Sequence, residues 1–88
     1  MVIKTHPQFD KHYKQRILPN PKLDQKFKNR LVLFTKNPKN PLLKDHSLTG
    51  EKKMYRSFWV TGDIRVVYYP LGSNEVLFTD IGSHNQVY

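Results

Sequence analysis

Eighty-eight residues with fifteen Lys and Arg against seven Asp and Glu, a net charge of +8 and a pI near 9.9, suffice for one domain around a single core of modest stability. The absence of cysteine excludes disulfides, thiolate metal sites and a cysteine nucleophile, and fits a reducing compartment. No run reaches the roughly 18 apolar residues of a membrane span, and the opening MVIKTHPQF is too polar for a signal segment, so a soluble, cytoplasmic chain with no membrane partner is expected.

From the start of the chain, Met1 to Lys4 reads as a short strand that begins a sheet. Thr5 and His6 lead into Pro7, whose missing N–H costs nothing in a first helical turn. Phe9 and Tyr13, four apart, define one face of a short amphipathic helix from Pro7 to about Arg16. Lys11, His12 and Lys14 point away from that face, and His6 and His12 are expected in solvent. The run ILPNP breaks the helix. Asn20 before Pro21, with Asp24 in the first turn, is a strong helix start, and Leu23, Phe27, Leu31 and Phe34 continue at helical spacing to about Lys36.

Lys39 to Gly50 reads as an extended connector, with Leu42 and Leu43 tucked onto the core. Met54 to Val60, Ile64 to Tyr69 and Glu75 to Ile81 are rich in β-branched and aromatic residues, the second of them stopped by Pro70. Thr61-Gly62-Asp63 and Leu71-Gly72-Ser73-Asn74 supply the turns between them. The expected fold is therefore α+β: an N-terminal strand and a two-helix hairpin packed on an antiparallel meander, in one domain over residues 1–88. By the period of two, Arg56 shares a face with Met54, Phe58 and Val60, and Arg65 shares one with Asp63, Val67 and Tyr69. One face of the sheet takes the helices, and the other is expected to stay open as a cation-bearing surface for a single-stranded nucleic acid.

The charge is polarised along the chain. Residues 1–56 hold fourteen of the basic and four of the acidic residues, whereas 57–88 hold one basic and three acidic. A polyanionic partner is the leading reading: nucleic acid, an acidic protein or an anionic membrane surface would each explain the asymmetry, no hydrophobic-plus-basic anchor favours the membrane, and a solvated lysine-rich helix face is the ordinary alternative. Lys22, Lys26, Arg30, Lys52 and Lys53 are the cations expected to grip RNA.

Of the four histidines, His46 after the connector and His84 in Gly82-Ser83-His84 flank the sheet, where a scaffold displays working residues. Each could instead stabilise a turn by hydrogen bonding. Imidazole moves protons near neutral pH, and cutting RNA by attack of its own 2′-hydroxyl needs a base, an acid and cations on the phosphate. Arg56 and Arg65, held on strands, suit the cationic role, with a cross-strand ion pair to Asp63 or Glu75 as their alternative. Asp63 would orient a histidine, accept a proton or simply cap its turn. Tyr88, Tyr55, Trp59 and Tyr69 are stacking candidates against a core alternative. A metal would require His46, His84 and a carboxylate to converge, and neither metal nor cofactor is expected.

The segments KDHSLTG, MYRSFWVTGDIRVVYY and FTDIGSHNQVY, following a short strand and two helices, resemble the RelE/ParE superfamily of toxins from toxin-antitoxin systems, most closely its YafQ-like branch. The resemblance spans essentially the whole chain. It implies a small basic ribonuclease that enters the ribosomal A site and cuts mRNA there without a metal, inhibited by a cognate antitoxin. It further implies that His46, Asp63 and His84 match the family's connector histidine, hairpin aspartate and C-terminal histidine. Tyr88 matches a terminal aromatic, Arg56 the arginine after the strand tyrosine, and Arg65 an arginine of the next strand. Trp59 stands where such members often carry another histidine, and Asp80 where they carry an arginine. ParE-like members act on DNA gyrase and lack the histidine set, so a gyrase-directed or non-catalytic toxin on the same fold is the alternative.

Overall fold

The longest helix forms as its sequence dictates. Asn20 accepts from the backbone N–H groups of Lys22 and Leu23 at 3.1 and 3.3 Å, Pro21 takes the first helical position, and Asp24 lies in the first turn, where the dipole favours an anion. In the computed structural model, which describes all 88 residues, this is α2, Pro21–Lys36. Before it come β1 (Val2–Thr5) and α1 (Pro7–His12), the latter running into a π turn (Tyr13–Ile17) rather than continuing as α-helix to Arg16. After it come a 3-10 turn (Pro41–Leu43), β2 (His46–Ser47), a second 3-10 turn (Gly50–Lys52), β3 (Arg56–Trp59), β4 (Ile64–Gly72), β5 (Glu75–Ser83) and α3 (His84–Val87). The connector is thus not simply extended, and only Leu43 is buried there; Leu42 faces solvent. No helix is long and apolar enough to cross a membrane.

The five strands form one sheet in the order β1-β5-β4-β3-β2. The meander is antiparallel, and β1 adds to its far edge parallel to β5. Phe9, Ile17, Phe27 and Phe34 cover one face, meeting Phe58, Val66, Tyr68, Phe78 and Ile81 in the core. The Phe34 ring lies 4.7 Å from Phe58 and 5.1 Å from Tyr68.

Three features of the sheet differ from the sequence expectation. First, β4 does not stop at Pro70. The β3 ladder ends at the Arg56–Tyr68 pair, so Pro70 sits beyond it and gives up no N–H needed on that side.

Second, Val67 faces Asp80 while Tyr68 faces Phe78, leaving Thr79 as an extra residue whose hydroxyl donates to the Val67 carbonyl at 3.0 Å. This bulge shifts the alternation by one, so that Ile81 rather than Asp80 joins Phe78 in the core.

Third, the face away from the helices is not left open. The α3 turn packs on β4 and β5, and Ser57, Val67 and Val87 are buried. Across the β3–β4 ladder Arg56 stands opposite Tyr68, and Trp59 opposite Arg65. The two arginines therefore lie on opposite faces of the sheet, Arg56 on the helix side.

Candidate functional site

His46 reaches the site on a segment held by its neighbours. Lys44 adopts a left-handed conformation, φ 49°, uncommon for a residue with a side chain, and turns the chain after the 3-10 turn. His46 Nδ1 then lies 2.8 Å from the Lys44 carbonyl oxygen. A carbonyl only accepts, so Nδ1 carries the proton and the neutral ring keeps Nε2 as an acceptor.

Between them, Asp45 receives Arg56 Nε and Nη2, each at 2.7 Å, together with the Tyr68 hydroxyl. Partial burial works against the Arg56 charge, yet the Asp45 carboxylate more than offsets this and holds the guanidinium above its ordinary range. Burial first, and then the Asp45 charge, push the Tyr68 hydroxyl well above the usual phenol range. Arg56 is thus the clamp of the connector, paired with Asp45 rather than with Asp63 or Glu75.

His84 is delivered differently. Strand β5 runs two residues past Ile81, making His84 the first residue of α3 rather than part of a loop. Ser83 Oγ accepts from the Gln86 N–H at 3.3 Å and Gln86 Oε1 from the Ser83 N–H at 2.8 Å, a reciprocal capping box. The His84 N–H donates to the Asp63 carbonyl at 3.1 Å. Gly82 lets the turn close, since a Cβ there would come within 2.7 Å of both Arg16 Nη1 and Gln86 Oε1.

Arg16 Nη1 in turn donates to the Ile81 carbonyl at 3.0 Å and lies 3.5 Å from Asp80, whose carboxylate also contacts His12 Nδ1 at 2.6 Å and Gln8 Nε2 at 3.2 Å. His12, expected in solvent, is therefore a partner of Asp80. At the other end of α3, Lys52 Nζ donates to the Val87 carbonyl at 3.3 Å and the Tyr88 hydroxyl bonds Ser57. The Tyr88 ring stands edge-on to His84 with centroids 4.6 Å apart.

These two constructions face each other. His46, Ser47, Thr49, Lys52, His84 and Tyr88 line one cleft of about 400 Å³, with a lysine and no Asp or Glu side chain in its wall. Such a cleft can offer an anion two imidazoles and an ammonium. Of the six residues expected to act, His46, His84 and Tyr88 come together in it. Asp63 is exposed and touches His84 only through its carbonyl; its turn is capped by Thr61 Oγ1, which accepts from the Asp63 and Ile64 N–H groups. Arg65 stacks on Trp59, 4.2 Å from the ring centroid, and donates to the Gly62 carbonyl. Neither it nor Arg56 lines the cleft.

The cleft's cation is Lys52, one of the five residues expected to grip RNA; Lys22, Lys26 and Lys53 lie on the exposed surface and Arg30 is half-buried. Ser57, Arg16, Gly82 and Gln86 were not among the candidates, although Ser83-x-x-Gln86 is a readable capping pattern. No three His, Cys, Asp or Glu side chains stand close enough to hold a metal ion.

Over residues 1–88 the chain matches the model of the YafQ family, bacterial toxins of type II toxin-antitoxin systems. No curated protein matches it significantly by sequence. Among solved structures it is similar to YafQ from E. coli strain BL21(DE3), with 26% identity over 98% of this chain and 96% of that one and a TM-score of 0.80. The same toxin in the E. coli DinJ-YafQ complex gives 26% identity, the same coverage and a TM-score of 0.78. A metal-bound toxin from Helicobacter pylori gives 29% identity over 100% of this chain and 99% of that one, at a TM-score of 0.76.

Proposed function

The chain belongs to the YafQ family of bacterial type II toxins, and from that premise we propose that it is an mRNA endonuclease that works in the ribosomal A site and thereby halts translation. The carrying observation is the cleft in which His46, His84 and Lys52 meet with no Asp or Glu side chain beside them. A phosphate entering it meets two groups able to move protons near neutral pH and one fixed positive charge.

In the proposed step one histidine takes the proton of the RNA 2′-hydroxyl as O2′ bonds to phosphorus. The phosphorus–O5′ bond breaks, and the other histidine, as imidazolium, gives its proton to O5′. The products are a 2′,3′-cyclic phosphate and a 5′-hydroxyl, and no metal is needed. His46 suits the base, because its Nδ1 proton is engaged by the Lys44 carbonyl and Nε2 is left to accept. His84 then acts as the acid, with the Tyr88 ring against its edge. Lys52 balances charge on the pentacoordinate phosphorus. Arg56 contributes by clamping Asp45 next to the base, and Asp63 by holding the His84 N–H through its carbonyl, while Arg65 stands on Trp59 outside the cleft.

A cognate antitoxin is the proposed protein partner, supported by the E. coli YafQ solved with DinJ. Its acidic or apolar segments would cover the basic surface and the cleft.

The test is primer extension on a message translated in a cell-free extract. Cuts at codon boundaries that vanish in His46→Ala and in His84→Ala are expected. An intact message with blocked DNA supercoiling would overturn this reading in favour of a gyrase-directed toxin.

A further inference from the structure

A second hollow, of about 430 Å³, opens where α2, the first 3-10 turn and the β3–β4 turn meet. Its charged lining is Lys26, Arg30 and Lys44, again with no Asp or Glu side chain, and Trp59 forms part of its wall. Lys44 Nζ stands 5.0 Å and the Arg65 guanidinium 4.2 Å from the centroid of the Trp59 ring. None of these four cations is in an ion pair, in contrast to Lys28 with Asp24 and Arg56 with Asp45. Arg65 Nε is also buried without a hydrogen-bond acceptor.

Unneutralised like charges gathered round one hollow repel one another, and an anion removes that repulsion. The indole holds two of the cations in place through the negative face of its ring. The hollow is joined to the histidine cleft through shared chain. Lys44 supplies the carbonyl that holds His46, and Trp59 lies two residues beyond Ser57, which holds Tyr88.

We propose that this groove is a second RNA-binding stretch, gripping phosphates of the strand on one side of the cut, with Trp59 acting as a post for Lys44 and Arg65 rather than as a platform for a base. The inference rests on the reading of the histidine cleft as an RNA site, and names how the strand leaves it. An RNA strand suits the groove better than an acidic protein segment because phosphates recur along a strand that already crosses the neighbouring cleft.

Trp59 is the only tryptophan, so its emission reports on this groove alone. The full chain with His46→Ala and His84→Ala, which cannot cut, would be titrated with a fluorescein-labelled single-stranded RNA of twelve nucleotides at several salt concentrations. Binding is expected to change the Trp59 emission. Adding Lys26→Ala and Lys44→Ala should weaken binding about tenfold and flatten the log-log salt dependence by about 1.4, the loss of two phosphate contacts on a single strand. Lys26→Arg with Lys44→Arg should restore both.

An unmoved emission, with affinity and salt slope unchanged in the alanine variant, would overturn the proposal. It would equally be overturned if the alanine pair weakened binding of the antitoxin and left RNA binding intact. The two readings fail separately: a protein that binds RNA through the groove and cuts nothing refutes the nuclease. One that cuts with unaltered KM after loss of both lysines refutes the groove.

Discussion

His46 and His84 face one cleft from walls built in opposite ways. The His46 wall is two residues of strand between 3-10 turns, and the imidazole has one hydrogen bond, to a carbonyl two residues back. Its stiffness is borrowed from the Asp45–Arg56–Tyr68 cluster on the far side of the sheet. The His84 wall is a single helical turn fastened at its start by the capping box and the Arg16–Gly82–Gln86 junction, and at its end by Lys52 and Ser57. A four-residue helix has no stability of its own, so tertiary contacts do the work that length does elsewhere. The difference teaches that one wall fails by losing a clamp at a distance, and the other by losing space.

The largest expected effect is direct. His46→Ala or His84→Ala should each lower ribosome-dependent cleavage by about 10²–10⁴-fold. The melting temperature should barely move, since both side chains are exposed.

Next, Gly82→Ala tests the crowded wall. The methyl group would meet Arg16 and Gln86, costing about 1–3 kcal/mol in a thermal melt and reducing cleavage through a displaced His84.

Arg56→Ala tests the distant clamp. It leaves Asp45 buried with only the Tyr68 hydroxyl, for a loss of about 1–3 kcal/mol in urea unfolding and a fall in cleavage smaller than that of His46→Ala. A fall as large would mean that Arg56 touches the phosphate itself.

Tyr88→Phe should be milder, about 1 kcal/mol for the lost hydroxyl contact, with the ring still beside His84.

The smallest effect is on pH. Burial and Asp45 raise the Tyr68 pKa in the folded state, so the folded protein keeps a proton that the unfolded chain releases from about pH 10 upward. The stabilisation is full below that pH and declines as pH rises towards the folded value. Tyr68→Phe should flatten this alkaline decline in a series of urea titrations.

Much of the fold was legible because its signals are short-range. Asn20-Pro21, the four-residue apolar spacing of α2 and the runs of β-branched and aromatic residues act within a turn or a strand, and the elements follow them closely. Pro70 misled because its effect depends on whether a neighbouring strand needs its N–H, which is a matter of where β3 ends. His12 misled for a similar reason: the partner that draws it out of solvent, Asp80, is sixty-eight positions away and meets it only when α1 packs on β5. His46 and His84 stood out by position and chemistry, and the structure brings them to one cleft. The partners of the charged residues were not legible, since an arginine's neighbour depends on the register and face of its strand.

By itself, then, the sequence determined the two main helices, β1 and the three strands of the meander, the basic front of the chain, the resemblance that the family match bears out, and the pair of histidines worth watching. The tertiary structure alone decided that Arg56 serves Asp45 on the helix side, that Arg65 stands on Trp59, and that Lys52 is the cation in the histidine cleft. It also decided that α3 closes over a face expected to lie open. The physical reason is range: backbone propensity and capping are settled by neighbours a few residues away. Charge pairing and the meeting of His46 with His84, thirty-eight positions apart, are settled only when register, bulge and packing bring distant segments to one place.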